Sequence, residues 1–365
     1  MRGINGSFLS FVLNYVVDVF ENTLLAVLPD TEQAEKLADD LQSLMPQSRV
    51  LYFPQAEVVP FDQGSFAPAL HSARLNALVS LLENPVSVLV TTPTSLIQKI
   101  ERPENIKKQI SHIRRKDRMD RDFLLEWLVE SGFERVSAIE EIGQFSARGG
   151  IVDIFSYEAE SPVRLEFFDD EIESIREFDI LSQVSIRQLE KTRIVGKNVE
   201  GDRQASLFDY LPANAILFWE DPERCHAQFE DWIEHSTRLF TENAERSSDP
   251  AAMYLFPREI QNLSKTHRQI FHSHLQPSQN NALDFNVQPP QPFQGNIKLL
   301  GKYLSKRFRR TDRKPYPLFI VYEKTGGRDR LEEFIEEEMG WLPPVRFLRG
   351  DIHSGFSLPE VPLEV

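Results

Sequence analysis

Three times in this chain a short apolar run is followed by an acidic or glycine-containing turn, then by residues at helical apolar spacing. Leu24 to Leu28 leads through Pro29-Asp30-Thr31 to Ala34, Leu37, Leu41 and Leu44. Ala215 to Trp219 leads through Asp221-Pro222 to Phe229 and Trp232. Leu318 to Tyr322 leads through Gly326-Gly327 to Leu331, Phe334 and Ile335. These are strand–helix units of a largely parallel sheet with helices outside. Strands at Arg49 to Phe53 and Ser87 to Thr92 join the first sheet, and Thr94 is expected to open a short helix ending near Ile100. The fold class is therefore α/β.

Between the first and second units the pattern changes. A helix from Asp122 to Ser131, with Phe123, Leu124, Trp127 and Leu128 expected on its buried face, precedes short alternating strands. In Val163 to Phe168 the alternation is clean: Val163, Leu165 and Phe167 point one way, Arg164, Glu166 and Phe168 the other. The first set belongs to a core. The second faces outward and sets Phe168 about 13 Å along the strand from Arg164. An exposed aromatic beside an arginine has the make-up of a protein-binding hot spot. The competing reading buries Phe168 under a helix and pairs Arg164 with Glu166 or an adjacent acid. Gly149 and Gly150 allow a tight or bulged turn that presents Arg148. The expected divisions are an α/β domain over 1–105, an inserted α+β domain over 106–192, the second part of the first domain over 193–295, and a small α/β domain over 296–365. A Gln/Pro/Asn-rich stretch, Gln276 to Gln294, reads as a loop or an extended crossing strand. The chain stops at Pro359 to Val365 in what reads as an ongoing strand, as a segment of a longer protein would.

Phe145-Ser-Ala-Arg148-Gly-Gly, then Pro162-Val-Arg-Leu-Glu-Phe-Phe-Asp-Asp-Glu-Ile172, continuing to Gln183, resembles the signature of the bacterial transcription-repair coupling factor family. Weaker similarity runs through Tyr52-Phe-Pro to Pro60-Phe-Asp62 and through Val88 to Pro93. The N-terminal module of that family is itself similar to the helicase UvrB. The resemblance implies a UvrB-like parallel-sheet domain with a degenerate nucleotide loop, and a non-catalytic surface for UvrA made of Arg148, Arg164 and Phe168. It implies that a far C-terminal domain covers this surface in the intact protein. RNA polymerase and DNA would be reached only through other regions of the full-length protein, an ATP-dependent DNA translocase. The alternative is a UvrB-type ATP-dependent helicase fragment that keeps some nucleotide or DNA binding.

The residues themselves speak against that alternative. Gly3, Gly6 and Ser7 stand before an apolar helical stretch, where a phosphate loop could sit. A working loop needs Gly-x-x-x-x-Gly-Lys-Ser/Thr, and no lysine occurs in the first 35 residues. Ser7 reads as a helix N-cap instead. Leu165 to Glu171 has the outline of a magnesium-holding strand, but Glu166 interrupts its apolar run, and Asp169-Asp170 read as a turn.

The net charge of −15 lacks the footprint of a self-sufficient duplex binder. Two basic runs remain, Lys107 to Arg121 and Lys302 to Lys314, each expected to be a solvated helix face or linker. The single cysteine, Cys225, excludes an intrachain disulfide framework and any cysteine-rich zinc site. His267, His272 and His274 cluster without a nearby acid, so no metal site is expected, and no catalytic residue or cofactor either. Without a signal peptide or a membrane span, the chain reads as cytoplasmic.

Overall fold

The computed structural model describes residues 1–56, 68–83, 86–197, 204–242, 250–273, 282–293, 295–308, 318–324, 326–358 and 363–364. The first body runs α1 (Phe8–Phe20), β1 (Leu24–Val27), α2 (Thr31–Leu44), β2 (Val50–Phe53), α3 (Pro68–Glu83), β3 (Val88–Thr91), α4 (Pro93–Leu96) and α5 (Pro103–Lys108). The insertion follows: β4 (Ile110–Arg114), α6 (Arg121–Glu130), β5 (Glu134–Arg135), β6 (Gln144–Arg148), β7 (Ile151–Ile154), β8 (Val163–Phe168), β9 (Glu171–Phe178), β10 (Ser185–Leu189) and β11 (Lys191–Val195). The first body then resumes with β12 (Ile216–Glu220), α7 (Pro222–Glu242), α8 (Pro250–Met253), α9 (Pro257–Ser264) and β13 (Arg268–His272). Last come α10 (Ile297–Phe308), β14 (Phe319–Tyr322), α11 (Gly327–Met339), β15 (Arg346–Arg349), β16 (Ser357–Leu358) and β17 (Leu363–Glu364).

The first body holds a five-stranded, all-parallel sheet in the order β13-β12-β1-β3-β2. Every residue of β1, β3 and β12 is buried, because helices cover both faces. Leu24 and Ala26 face one side and pack with Leu13, Leu37 and Leu41 of α1 and α2. Leu25 and Val27 face the other and pack with residues of α3, α7 and α9, including Leu78, Phe229 and Ile260. Asp30 starts α2 by accepting the Gln33 N–H at 2.9 Å. The third unit is smaller: β14 and β15 pair in parallel, and Leu304, Leu318, Ile335 and Met339 form its core.

Strand β13 was not foreseen. It lies at the sheet edge, and only His272 of its five residues is buried, so it lacks an apolar run. Thr92, not Thr94, precedes the short helix α4, which ends at Leu96. The segment 57–62 lies outside the described residues, as do 276–281 of the Gln/Pro/Asn-rich stretch and Arg309 to Lys314 of the second basic run.

The inserted sheet has six strands in the order β10-β9-β8-β7-β6-β5, antiparallel apart from the short β5–β6 pair. Its inner face, with Phe145, Val152, Leu165 and Ile175 fully buried, packs with Leu124 and Leu128 of α6. Phe123 does not share that buried face. It stands 65% exposed, one residue before Leu124 and therefore about 100° around the helix from it.

Candidate partner-docking surface

The register of the inserted sheet defines its outer face. Ser146, Asp153, Arg164, Arg176 and Gln188 lie opposite one another across β6 to β10. The neighbouring row is Arg148, Ile151, Glu166 and Ser174. Directly opposed residues of antiparallel strands project to the same side. Arg148 and Arg164 therefore share a face, and alternation along β8 puts Phe168 there too. The Phe168 ring is 74% exposed, with no helix over it. From register alone, Arg148 lies about 10 Å across the sheet and 7 Å along it from Phe168.

Two hairpin turns set the open end of this face. Gly149 and Gly150 join β6 to β7, and Gly149 adopts φ +57°, where a side chain is strained. Gly150 lies against β8: the Phe167 N–H donates to its carbonyl at 2.7 Å, and a Cβ on Gly150 would come within 2.7 Å of the Phe167 oxygen. Arg121, at the start of α6, donates to the Gly149 carbonyl. Asp169 and Asp170 turn β8 into β9, with Asp169 at φ +57°.

The two arginines are held differently. Arg148 is exposed and donates once, to the Ser137 carbonyl. Arg164 is largely enclosed. Its Nε and Nη2 donate to the two carboxylate oxygens of buried Asp153 at 2.6 and 2.9 Å, and Nη2 also reaches Gln183 Oε1 at 3.1 Å. Its guanidinium lies 4.5 Å over the Phe178 ring, and the Asp153 hydrogen bonds push its pKa upward. The fork anticipated for a partner carboxylate is thus filled from within, by an acid on the adjacent strand and not by Glu166. Glu166 itself pairs with Arg176 and accepts from Ser174. Sequence reasoning also missed Ile151, 37% exposed beside Arg148, and the apolar tip Leu181, Val184 and Ile186 next to Gln183.

The N-terminal Gly3–Gly6–Ser7 segment is closed by the chain itself. Ser7 precedes α1, but its side chain makes no cap hydrogen bond. Its hydroxyl accepts the Ser354 N–H at 3.0 Å, and its own N–H donates to the Ser354 carbonyl at 3.2 Å. A Cβ on Gly3 would meet Asp284 Oδ1 at 2.5 Å and the Asn286 nitrogen at 2.8 Å. His353 bonds Asp40 of α2 through its own N–H and ring, fastening the returning segment in place. The first-turn amide that would face a phosphate is committed to this strap.

His272, foreseen in a polar cluster lacking an acid, has one. Its Nδ1 lies 2.7 Å from Glu220 Oε2 in the buried register pair of β12 and β13. His274 falls outside the described residues. Among the described residues, no group of three or more His, Cys, Asp or Glu could hold a metal ion, and no helix is long and apolar enough to cross a membrane. Cys225 is buried, its thiol pushed up to about 12 by desolvation and nearby Asp221 and Glu220.

Residues 111–199, from β4 through β11, match the UvrB interaction domain family. With its parallel sheet and this insertion, the chain falls in the UvrB-like class of α/β proteins. The UvrABC system protein B of Legionella pneumophila is 27% identical over 211 residues, 54% of this chain and 32% of that protein. All of this chain aligns with the transcription-repair-coupling factor of Bacillus subtilis, at 24% identity and over 37% of that protein. The Escherichia coli transcription-repair-coupling factor is 27% identical over 207 residues, 56% of this chain and 18% of its own length. The chain is similar over its whole length to a transcription-repair-coupling factor, and spans little more than a third of the Bacillus protein.

Proposed function

We propose that this chain acts in transcription-coupled nucleotide excision repair as a non-catalytic adaptor that docks UvrA on the outer face of the inserted sheet. The observation that carries the reading is Phe168, an aromatic ring 74% exposed on the UvrB interaction domain, with Arg148 and Ile151 on the same face. Phe168 would bury its ring in the partner, and Arg148, held by a single carbonyl, offers its free nitrogens to a partner carboxylate. Arg164 contributes mainly by positioning. It holds Asp153 and Gln183 and so shapes the ground between Phe168 and the Leu181–Ile186 tip. RNA polymerase would be reached through regions of the longer protein. The strap over Gly6 and Ser7 weighs against the nucleotide-driven alternative.

Calorimetric titration of purified UvrA tests the assignment. Phe168→Ala is expected to weaken binding by about 2 kcal/mol, some thirtyfold, and Arg148→Glu by at least about tenfold. Both residues are exposed, so neither change should disturb folding. Wild-type affinity in both variants would remove the face from consideration. Arg164→Glu is a poor test, because it sets a carboxylate against Asp153 and disturbs the sheet as well as any interface.

A further inference from the structure

The first basic run of the sequence is no helix face. It comprises the last turn of α5, all of β4 and the segment leading to α6, and the fold adds to it by pairing β11 against β4. Lys191 stands opposite Arg114. At the other end the Gly196 N–H bonds the Gln109 carbonyl, which brings Lys197 toward Lys107 and Lys108. Lys107, Lys108, Arg114, Lys116, Lys191 and Lys197 are all exposed, and among the described residues none of them forms an ion pair. This occurs in a chain with a net charge of −15. Three of the nearby acids are committed elsewhere, Glu190 to Arg115, Asp117 to the Arg114 N–H, and Glu83 to His112 and Arg193, while Glu104 and Glu173 also stand beside the ribbon. Arg118, whose backbone bridges Glu171, is exposed as well, while Arg121 is paired with Asp122.

From Ile110 to Arg114 the paired strands extend about 13 Å. A nucleic-acid duplex presents a phosphate every 3.4 Å or so on each strand along its axis, about four over that distance. The described residues of the ribbon, 97–122 and 187–197, expose no large hydrophobic side chain. Ile186 and Phe123 are exposed just beyond these limits, but β4 and β11 themselves carry neither the apolar anchor of a protein hot spot nor the aromatic platform on which single strands stack. A phosphate backbone needs only the cations. We propose that the β4–β11 ribbon binds the phosphate backbone of duplex nucleic acid without regard to sequence.

Fluorescence anisotropy of a labelled mixed-sequence DNA duplex of about 20 base pairs, with the full chain, tests this. Binding should appear at about 20 mM salt and weaken with a log–log salt slope of about −3 to −5, as four or five phosphate contacts require. The triple variant Lys108→Glu, Arg114→Glu, Lys116→Glu should bind at least tenfold more weakly with a shallower slope. The same charge change on α10, Lys298→Glu, Lys302→Glu, Lys306→Glu, should leave binding nearly unchanged, as should Phe168→Ala. If the triple variant loses its wild-type urea midpoint, the milder pair Lys107→Gln, Lys191→Gln must show a smaller loss in the same direction. The proposal is overturned by no binding at low salt or by equal weakening in the α10 variant. It is likewise overturned by tighter binding of a single strand, or of labelled polyglutamate, than of the duplex.

Discussion

In the parallel sheet, helices lie on both faces and the side chains of β1, β3 and β12 are all buried; in the inserted sheet, alternate residues of β8 reach solvent. The first arrangement gives a large core but no surface for recognition. Where such a fold would ordinarily take a phosphate, at the start of α1, the returning segment around Ser354 is bound instead. The antiparallel sheet buries only one face, and its other face is free to present an aromatic ring and a cation to a partner. The face open to solvent belongs to the sheet whose core needs only half its side chains.

The largest effect that could break this contrast lies in the parallel sheet. Leu89 is fully buried at the centre of β3, and Leu89→Ala should cost about 2–5 kcal/mol in urea unfolding, while the UvrA affinity of the remaining folded protein stays near wild type. A parallel loss of both would mean that the two sheets do not act separately. Next comes Arg164→Ala, expected to cost about 1–3 kcal/mol because Asp153 is left buried without its partner. If Arg164 acts by positioning, Arg164→Ala combined with Asp153→Ala should recover much of that stability. Additive losses in the double variant would sink the pairing account.

Gly149→Ala should cost about 1 kcal/mol, since φ +57° strains a side chain although the space around it is open, and should slightly weaken partner binding by shifting Arg148. The smallest effect concerns the join between the two regions. Glu158 is buried beside Arg193, which also holds Glu83 of α3, and desolvation raises the Glu158 pKa above its ordinary value. Its folded state therefore favours the protonated acid. That contribution is full below the ordinary carboxylate range and is lost as pH rises through the raised pKa. Unfolding measured from pH 4 to 7.5 should show the stability of the wild type falling relative to Glu158→Gln as pH increases; a flat or opposite trend would mean that the Arg193 charge outweighs burial.

Much of this was legible in the residues. Leu24 to Val27, Val88 to Val90 and Ile216 to Trp219 are apolar without interruption, and that alone requires cover on both faces. The outward set on β8 followed from alternation, and Phe168 is indeed exposed. The partner of Arg164 was not legible. Asp153 reaches it only through strand pairing across an intervening loop, and no local periodicity distinguishes Asp153 from Glu166 as its acid. The ribbon was misread for a similar reason. Lys107 to Arg121 carries no clear strand pattern, and the β11 strand that completes it lies far along the chain. Phe123 was placed inside because helical spacing locates an apolar stripe but leaves its edges uncertain by a residue.

What the sequence determined by itself is local: which runs become strands, which of them are covered on both faces, and which side chains of β8 point outward. These follow from side-chain periodicity along a few bonded residues. Only the tertiary structure decided that Asp153 fills the Arg164 fork, that Ser354 closes the start of α1, and that Lys191 joins Arg114 on one ribbon. Each of these depends on strands or loops distant in sequence meeting in register, and that register is set by the packing of the whole core.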